Sequence, residues 1–336
     1  YREFIVTPDK IINDELCYDL IDQAASLGVP SMKFNWRGEP LLNPKIYDYI
    51  KYAKKKGILE TIINTNATNL TEKNSEKLIE SGLDLIIYSF DGGSKKTYEK
   101  MRPGRFKHNS FEKVYSNIKN FKKTRDRLNA KLPFTKIQMI LTKDTFSEVN
   151  NFFKLFNDYV DDVSVNQYSE RGGAISDLSD LDKKKYDKLL EKYNLPKNTP
   201  YMKDIHGDLS ISKGREPCKQ PYQRLLVTYE GKVAMCCYDW GANHTVGFTN
   251  KKAFSNESDY DQIVESVKNK KKGFELLKDI KPGKNWNSPK KKVETLKEIW
   301  LGDEINKVRK NHCDGTGENV AICEKCTFKD VYKWSQ

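Results

Sequence analysis

The first half of the chain alternates between two spacings of apolar residues. Leu16, Leu20 and Ala24 recur on one stripe at helical spacing. The stretch "LDLIIYSF" (residues 83–90) is instead a short continuous apolar run, typical of a strand buried on both faces. Strands separated by helices are expected to be parallel and joined by right-handed crossovers. Five strands are predicted, within residues 31–36, 59–65, 83–90, 136–142 and 162–168.

The connectivity leaves two α/β architectures open for this half. Parallel strands separated by helices suit a doubly wound sheet or an open (β/α) barrel, and the periodicity does not choose between them. Helical spacing begins before the first of these strands, at residues 31–36. We therefore expect an earlier strand upstream of Tyr1.

The second half has a different pattern. Residues 170–216 are polar and typical of a linker. The stretch "CKQPYQRLLVTYEGKVAMCC" (residues 218–237) predicts two short strands around a Glu230-Gly231 turn, with a thiol at each end. We expect three parts: residues 1–169, a linker at 170–216, and a small domain of a β-hairpin and helices at 217–336.

The chain carries a formal net charge of +12. A basic balance is typical of nucleic-acid binding, and residues 268–273 and 289–293 are the best candidates for a basic patch. Lysine is nevertheless spread along the whole chain, which favours an ordinary solvated surface over a nucleic-acid site. No apolar run approaches a membrane span and no signal peptide is visible, so we expect a cytoplasmic protein without membrane contact.

Seven cysteines are present, an odd number in a chain without a secretory signal. Disulfides are therefore not expected, and Cys17 is interpreted as a packed residue of a helix. Four thiols at the hairpin and in "CEKC" can hold one metal centre, either Zn²⁺ or an iron–sulfur cluster, and their spacing alone favours structural zinc. These four are Cys218, Cys236, Cys323 and Cys326.

Small, polar and acidic residues recur where the predicted strands end. The segments "RGEPLLNP", "TNAT" and "SFDG" follow the first three strands, and Gln138 lies on the fourth. Each segment alone can be a turn or a helix cap. Ligands of parallel α/β folds bind beyond the carboxyl ends of the strands, so their recurrence there indicates a binding site.

These segments resemble the radical S-adenosylmethionine (SAM) enzymes. "GEPLLNP", "TNATNLT" and "SFDGGSKKTYEKMRPG" occur in the order and spacing of that family's motifs, with Arg37 and Ala67 where the family usually has glycine. The resemblance implies a partial (β/α)6 TIM-like barrel that lacks its first strand in this chain. It also implies SAM as cofactor.

The resemblance assigns roles to residues at the strand ends. The Gly38-Glu39-Pro40 edge would bind the amino group of SAM, and Arg102 its carboxylate through a two-donor fork. For Arg102, a solvent-exposed helix end is the competing interpretation. The remaining pocket residues would face the ribose or line the same pocket: Ser89, Asp91, Thr65, Asn66 and Gln138.

The family's CxxxCxxC motif, whose thiolates hold the radical-generating [4Fe–4S] cluster, is absent from the sequence. Either it lies upstream of Tyr1, or the protein is a degenerate relative without radical chemistry. We favour the first explanation, and expect the given chain alone to be inactive without that segment.

The cysteine pattern also resembles a family feature. "C-x12-G-x4-C" followed by "C-x2-C" is similar to the SPASM/twitch extension of radical SAM enzymes, with Gly231 at the hairpin turn. The resemblance favours one auxiliary [4Fe–4S] cluster over zinc. Cys237 and Cys313 are left without a ligand role.

Together these resemblances imply an oxidoreductase or modification enzyme. It would cleave SAM reductively to a 5′-deoxyadenosyl radical that abstracts hydrogen from a sugar, an aminosugar or a peptide. The auxiliary cluster would either accept an electron from the substrate radical, which makes the net reaction an oxidation, or bind substrate, or serve structure. An electron donor such as flavodoxin or ferredoxin would be its partner. The alternative is a non-catalytic, zinc- or cluster-stabilised binding protein with a basic nucleic-acid-binding surface.

Overall fold

The computed structural model describes residues 10–36, 38–103, 110–167, 188, 201–203, 209–211, 217–237, 239, 242, 244–254, 289–324 and 326. Arg37, most of the predicted linker at 170–216 and the basic stretch at 268–273 lie outside the described residues. The chain forms two compact units. One holds residues 17–167, and the other holds residues 10–16 and the described residues from 188 onward.

The first unit is built on five parallel strands that pair in sequence order. The strands are β1 (Ser31–Lys33), β2 (Glu60–Thr65), β3 (Leu85–Ser89), β4 (Phe134–Leu141) and β5 (Asp162–Gln167). The helices are α1 (Asp14–Ser26), α2 (Ile46–Lys55), α3 (Glu72–Glu80), α4 (Lys95–Met101), α5 (Phe111–Arg127) and α6 (Val149–Phe156), with 3-10 turns at Pro40–Leu42 and Phe146–Glu148. A doubly wound sheet reverses its strand order, so the uninterrupted order is that of a partial (β/α) barrel.

The helix starts follow from local capping chemistry. Asn13 Oδ1 accepts a hydrogen bond from the backbone N–H of Leu16, 3.3 Å away, at the start of α1. The side chains of Thr71, Ser94 and Ser110 cap α3, α4 and α5 in the same way. Each cap satisfies a backbone donor that the helix itself leaves unpaired. These ends are therefore fixed by residues adjacent in sequence.

The two faces of the sheet differ in burial. Ile63, Ile86 and Ile137 have no exposed surface, and on the same face Tyr88 packs edge-on against Phe121 of α5. This is the face that the helices cover. The residues between them on each strand point to the opposite, concave face and are half-buried. The side chains of the concave face are therefore the ones available to a ligand.

The second unit contains a three-stranded antiparallel sheet of order β10-β9-β8. Its strands are β8 (Leu226–Val227), β9 (Lys232–Ala234) and β10 (Thr245–Phe248), and β6 (Tyr201–Lys203) and β7 (Leu209–Ile211) pair separately. Its helices are α7 (Gln220–Gln223), α8 (Leu296–Leu301), α9 (Asp303–Cys313) and α10 (Ala321–Glu324). The hairpin predicted around Glu230-Gly231 is confirmed as β8 and β9.

Gly231 adopts a φ of 98°, in the left-handed region that glycine tolerates best. A Cβ at this position would lie 2.7 Å from Cβ of Asn250, so the turn is also too close to its neighbour for a side chain. Beneath the sheet lies an apolar cluster of β9, β10, α8, α9 and the segment before α10. It consists of Val233, Met235, Val246, Ile299, Ile305, Val308 and Val320.

Within the described residues, no helix is both long and apolar enough to cross a membrane.

Candidate functional site

The Glu39 carboxylate lies at the carboxyl edge of the parallel sheet. Its Oε1 accepts hydrogen bonds from the backbone N–H of Leu41 (3.1 Å) and the hydroxyl of Thr65 (2.7 Å). Its Oε2 accepts the backbone N–H of Asn66 at 2.8 Å. Burial raises the pKa of Glu39 above its usual range, although these hydrogen bonds oppose the rise. The carboxylate therefore ties the loop after β1 to the end of β2.

The loop that carries Glu39 has an open backbone edge. Gly38 is exposed and has a φ of 80°. A Cβ built there meets no heavy atom of the described residues within 4 Å. Pro40 is buried and begins the 3-10 turn that follows. The backbone at Gly38 is thus accessible, whereas Pro40 after Glu39 is packed.

Asp91 and Arg102 form an ion pair beyond the end of β3. Nε of Arg102 donates to Oδ2 of Asp91 at 2.7 Å, and Oδ1 of Asp91 accepts the backbone N–H of Ile140 at 2.9 Å. Arg102 lies at the end of α4, as in the competing interpretation, but its side chain is only 25% exposed and is paired with Asp91. The charge of Arg102 lowers the pKa of Glu39, although burial remains the larger effect.

Thr65, which was predicted to line the same pocket as Gln138, lies at the end of β2 on the helix-covered face of the sheet. It pairs with the fully buried Tyr88 in the β2–β3 register, and both point toward the helices, whereas Ser89 and Gln138 pair on the concave face. Thr65 pairs with Tyr88, the residue before Ser89. Because side chains alternate between the two faces along a strand, Thr65 and Ser89 point to opposite faces of the sheet. Its hydroxyl donates to Glu39, and its place in the pocket stays a prediction.

The turn after β2 is held from two sides. Oδ1 of Asn66 accepts the backbone N–H of Thr68 at 2.9 Å, which closes the turn on itself. Ala67 has a φ of 58°, a left-handed conformation that favours the glycine common in the related motif. Nδ2 of Asn117 on α5 donates to the Ala67 carbonyl at 2.8 Å. This geometry aims the backbone N–H of Asn66 at Glu39.

Two concave-face residues were not found from the sequence. Nδ2 of Asn166 on β5 donates to Oε1 of Gln138 at 3.0 Å. Oδ1 of Asn64 on β2 is buried, and no donor among the described residues reaches it. Strand alternation from Gln138 and Ser89 is the signal that could have identified them, but only once the register was known. They extend a polar row across the concave face.

In the second unit, two of the four predicted ligand cysteines adjoin the apolar cluster. Cys236, just after β9, and Cys323, on α10, both pack against it. The backbone N–H of Cys326 donates to the Cys323 carbonyl at 3.3 Å, so these two residues lie within one turn. Cys218 is 8% exposed and precedes α7. No disulfide joins any of the seven cysteines, all of which lie among the described residues.

Over the described ranges, no group of three or more histidine, cysteine or acidic residues is placed to hold a metal ion.

The cysteines without a predicted ligand role have other surroundings. Cys17 is buried on α1, as expected. Sγ of the exposed Cys313 lies 2.9 Å from the Tyr222 hydroxyl. Burial, followed by the interaction with Cys313, raises the pKa of Tyr222 to about 12.

A buried histidine contacts one of the predicted ligands. Nε2 of His312, in the last turn of α9, lies 3.5 Å from Sγ of Cys323. His312 is only 3% exposed. No sequence pattern indicated this contact, because it depends on how α9 and α10 pack.

Two family models match the chain. The radical SAM superfamily model matches residues 8–156, and the model of the SPASM iron–sulfur cluster-binding domain matches residues 218–327. Together they cover well over half of the chain. These two domains imply SAM and [4Fe–4S] clusters as cofactors.

Curated relatives match over shorter stretches. The tungsten-containing aldehyde ferredoxin oxidoreductase cofactor-modifying protein of Pyrococcus furiosus is 26% identical over 142 residues, 40% of this chain and 37% of that protein. The AdoMet-dependent heme synthase of Nitratidesulfovibrio vulgaris is 30% identical over 101 residues, 30% of this chain and 27% of that protein. The matched segments thus span well under half the length of either relative.

Solved structures share the fold at low identity. Native anSMEcpe with bound AdoMet and Cp18Cys peptide superposes with a TM-score of 0.53, 17% identity and 95% coverage of both chains. SuiB of Streptococcus suis gives a TM-score of 0.51 and 18% identity over 72% of this chain and 57% of that one. The two family models, which match residues 8–156 and 218–327, show that the chain belongs to the radical SAM superfamily and carries a C-terminal SPASM domain.

Proposed function

We propose that this chain binds SAM at the carboxyl edge of its parallel sheet and holds one auxiliary [4Fe–4S] cluster in its SPASM domain. The proposed SAM-binding residues are Gly38, Glu39, Pro40, Asn66, Ser89, Asp91, Arg102 and Gln138, with Thr65 as a positioning residue. The proposed cluster ligands are Cys218, Cys236, Cys323 and Cys326. The observation that carries the proposal is the buried Glu39 carboxylate, fixed beside an open glycine edge.

The SAM-binding residues fit both charged ends of the amino acid part of SAM. The accessible backbone at Gly38 offers a carbonyl edge to the amino group, next to the negative Glu39 carboxylate. Arg102 offers a planar cation to the carboxylate, and Asp91 fixes the orientation of its guanidinium through Nε. Because these side chains are already held by hydrogen bonds before SAM binds, they lose little conformational entropy on binding.

The SPASM residues fit a cluster by the chemistry of their donors. Four cysteines outside disulfides supply four thiolates, which is the complete ligand set of a [4Fe–4S] cluster. Cys236 and Cys323 adjoin an apolar cluster that limits the access of water. The three-part division at residues 1–169, 170–216 and 217–336 stays a proposal, supported by the two matched ranges.

When bound, a reduced [4Fe–4S] cluster and SAM supply a 5′-deoxyadenosyl radical that removes hydrogen from a substrate, and the auxiliary cluster supplies an acceptor for the substrate's electron. The chain's own contribution is to orient SAM and to bind the substrate. The amide side chains of Asn64, Gln138 and Asn166 present both donors and acceptors on the concave face. They suit a polar substrate, either a sugar, an aminosugar or a peptide.

The decisive experiment uses protein expressed from the complete native gene, purified anaerobically and reduced with dithionite in the presence of SAM. We expect the reaction to yield 5′-deoxyadenosine. We also expect the auxiliary site to contribute about four iron atoms and about four acid-labile sulfides per chain. A Cys323→Ser/Cys326→Ser variant should lose the iron and the sulfide that belong to the auxiliary site. Stoichiometric zinc with no sulfide and no 5′-deoxyadenosine would instead support the non-catalytic alternative.

A further inference from the structure

We propose that His312 is a positioning residue of the auxiliary cluster, which donates a hydrogen bond from Nε2 to the Sγ of Cys323 and raises the cluster's reduction potential. The inference rests on the proposed function, because it requires Cys323 to be a cluster ligand. The structure provides the geometry: Nε2 lies 3.5 Å from Sγ, within the longer distance that hydrogen bonds to sulfur allow.

The imidazole is placed by its surroundings. His312 is 3% exposed and lies one turn beyond Val308, a member of the apolar cluster that Cys236 and Cys323 also contact. On the other side, Gly317 lies so close that a Cβ there would be 2.8 Å from Nδ1 and 3.0 Å from Cε1. Gly317 therefore leaves room for the ring and fixes its distance from α10. A buried polar side chain in such a place requires a hydrogen-bond partner.

Hydrogen bonds to ligand sulfurs are one of the main ways in which a protein adjusts a cluster. An N–H donor withdraws electron density from the thiolate and stabilises the more negative, reduced cluster. One electron passes from the reductant to the cluster, and no bond to His312 forms or breaks. Removal of the donor should therefore lower the reduction potential.

The test is an anaerobic potentiometric titration of the auxiliary cluster in the full-length protein, followed by electron paramagnetic resonance, with and without substitutions at His312. His312→Phe keeps an aromatic ring but has no donor, and His312→Gln retains an N–H near the position of Nε2. We expect the reduced-to-oxidised ratio at a fixed potential to fall about threefold to tenfold in His312→Phe, where tenfold is about 59 mV for one electron. His312→Gln should recover most of the difference.

Two further variants separate this role from packing. Gly317→Ala pushes the ring away without changing His312, and it should shift the potential in the same direction. Val308→Ala loosens the packing of the apolar side-chain cluster without removing a hydrogen-bond donor. It should therefore lower the unfolding temperature and leave the reduction potential of the iron–sulfur cluster unchanged.

Several outcomes would overturn the inference. If His312→Phe and Gly317→Ala keep the wild-type potential and spectrum at equal iron content, His312 has only a packing role. Loss of the cluster from both His312 variants, but not from Gly317→Ala, would identify His312 as a ligand instead. Wild-type protein without iron and sulfide would overturn the proposed function itself, and this inference with it.

Discussion

Arg102 and Ile140 share one carboxylate: Asp91 accepts Nε of Arg102 at 2.7 Å with one oxygen and the backbone N–H of Ile140 at 2.9 Å with the other. The guanidinium is thereby fixed to the end of β4, although it belongs to the end of α4. An arginine anchored in this way presents its charge in one orientation, which is what a carboxylate ligand requires.

We expect Arg102→Ala to weaken SAM binding by roughly 10- to 100-fold, since a hydrogen bond to a charged group contributes about 1.5–3 kcal/mol. Arg102→Lys should recover only part of the loss because a point charge cannot replace a planar fork. Equilibrium dialysis with SAM measures both. Arg127→Ala is the matched control, since Arg127 pairs with Glu72 on the exposed surface and should leave binding unchanged. Wild-type affinity in Arg102→Ala would contradict the assignment.

The Thr65 hydroxyl should act on SAM through Glu39. Thr65→Val keeps the side-chain shape but removes the donor, and leaving a buried carboxylate oxygen less well satisfied costs about 1–3 kcal/mol. We expect lower stability in urea and a SAM affinity reduced by about fivefold or more. Thr65→Ser retains the hydroxyl and should keep the affinity. Equal SAM binding in Thr65→Val and wild type would show that the hydroxyl serves stability alone.

Acid should destabilise the first unit through Asp161. Burial alone would raise its pKa, but hydrogen bonds from Arg125 and Thr135 outweigh this effect and lower the pKa of Asp161 to about 2. Since the unfolded value is about 3.9, and solvent screens this partly exposed group, the ionised carboxylate contributes about 1 kcal/mol above that pH. This contribution is lost as the pH falls from about 4 to about 2.

Urea unfolding between pH 6 and pH 2 would measure this dependence. Asp161→Asn should lower the free energy of unfolding at neutral pH and flatten its slope in the acid range. Asp162→Asn is the control, because Asp162 pairs with Lys136 near the surface and is 38% exposed. An unchanged acid slope in Asp161→Asn would refute the prediction.

Gly231→Ala should damage the SPASM hairpin. The substitution forces a side chain into a left-handed conformation and to within 2.7 Å of Asn250, so we expect a loss of about 1–3 kcal/mol. Iron content should fall because Cys236 follows this hairpin. Gly315→Ala separates the two causes, since its φ is 73° but no atom of the described residues lies within 4 Å of the added Cβ. Equal losses in the two variants would mean that the contact with Asn250 contributes nothing.

The sequence predicted those parts of the fold that depend on near neighbours. Caps such as Thr71 and Ser94 act over three residues, so the helix starts could be found without knowledge of the tertiary structure. The uninterrupted strand order could not be found in this way, because the helices and strands have the same periodicity in a barrel and in a doubly wound sheet.

The site shows the same division. Glu39 and Asp91 were found from motifs next to strand ends. The face of Thr65 depends on the register between β2 and β3, and a shift of one residue reverses it. The contact between His312 and Cys323 depends on the packing of α9 against the segment before α10, which the residue order does not specify.

The turn at Ala67 has a consequence for how the protein tolerates substitution. Its left-handed backbone is secured by Asn117, a residue of α5 whose amide donates to the Ala67 and Thr68 carbonyls. If that amide is lost, the turn can relax and rotate the Asn66 N–H away from Glu39. If SAM binds as proposed, a substitution of Asn117 on α5 would therefore change the affinity for the cofactor through the turn at Ala67.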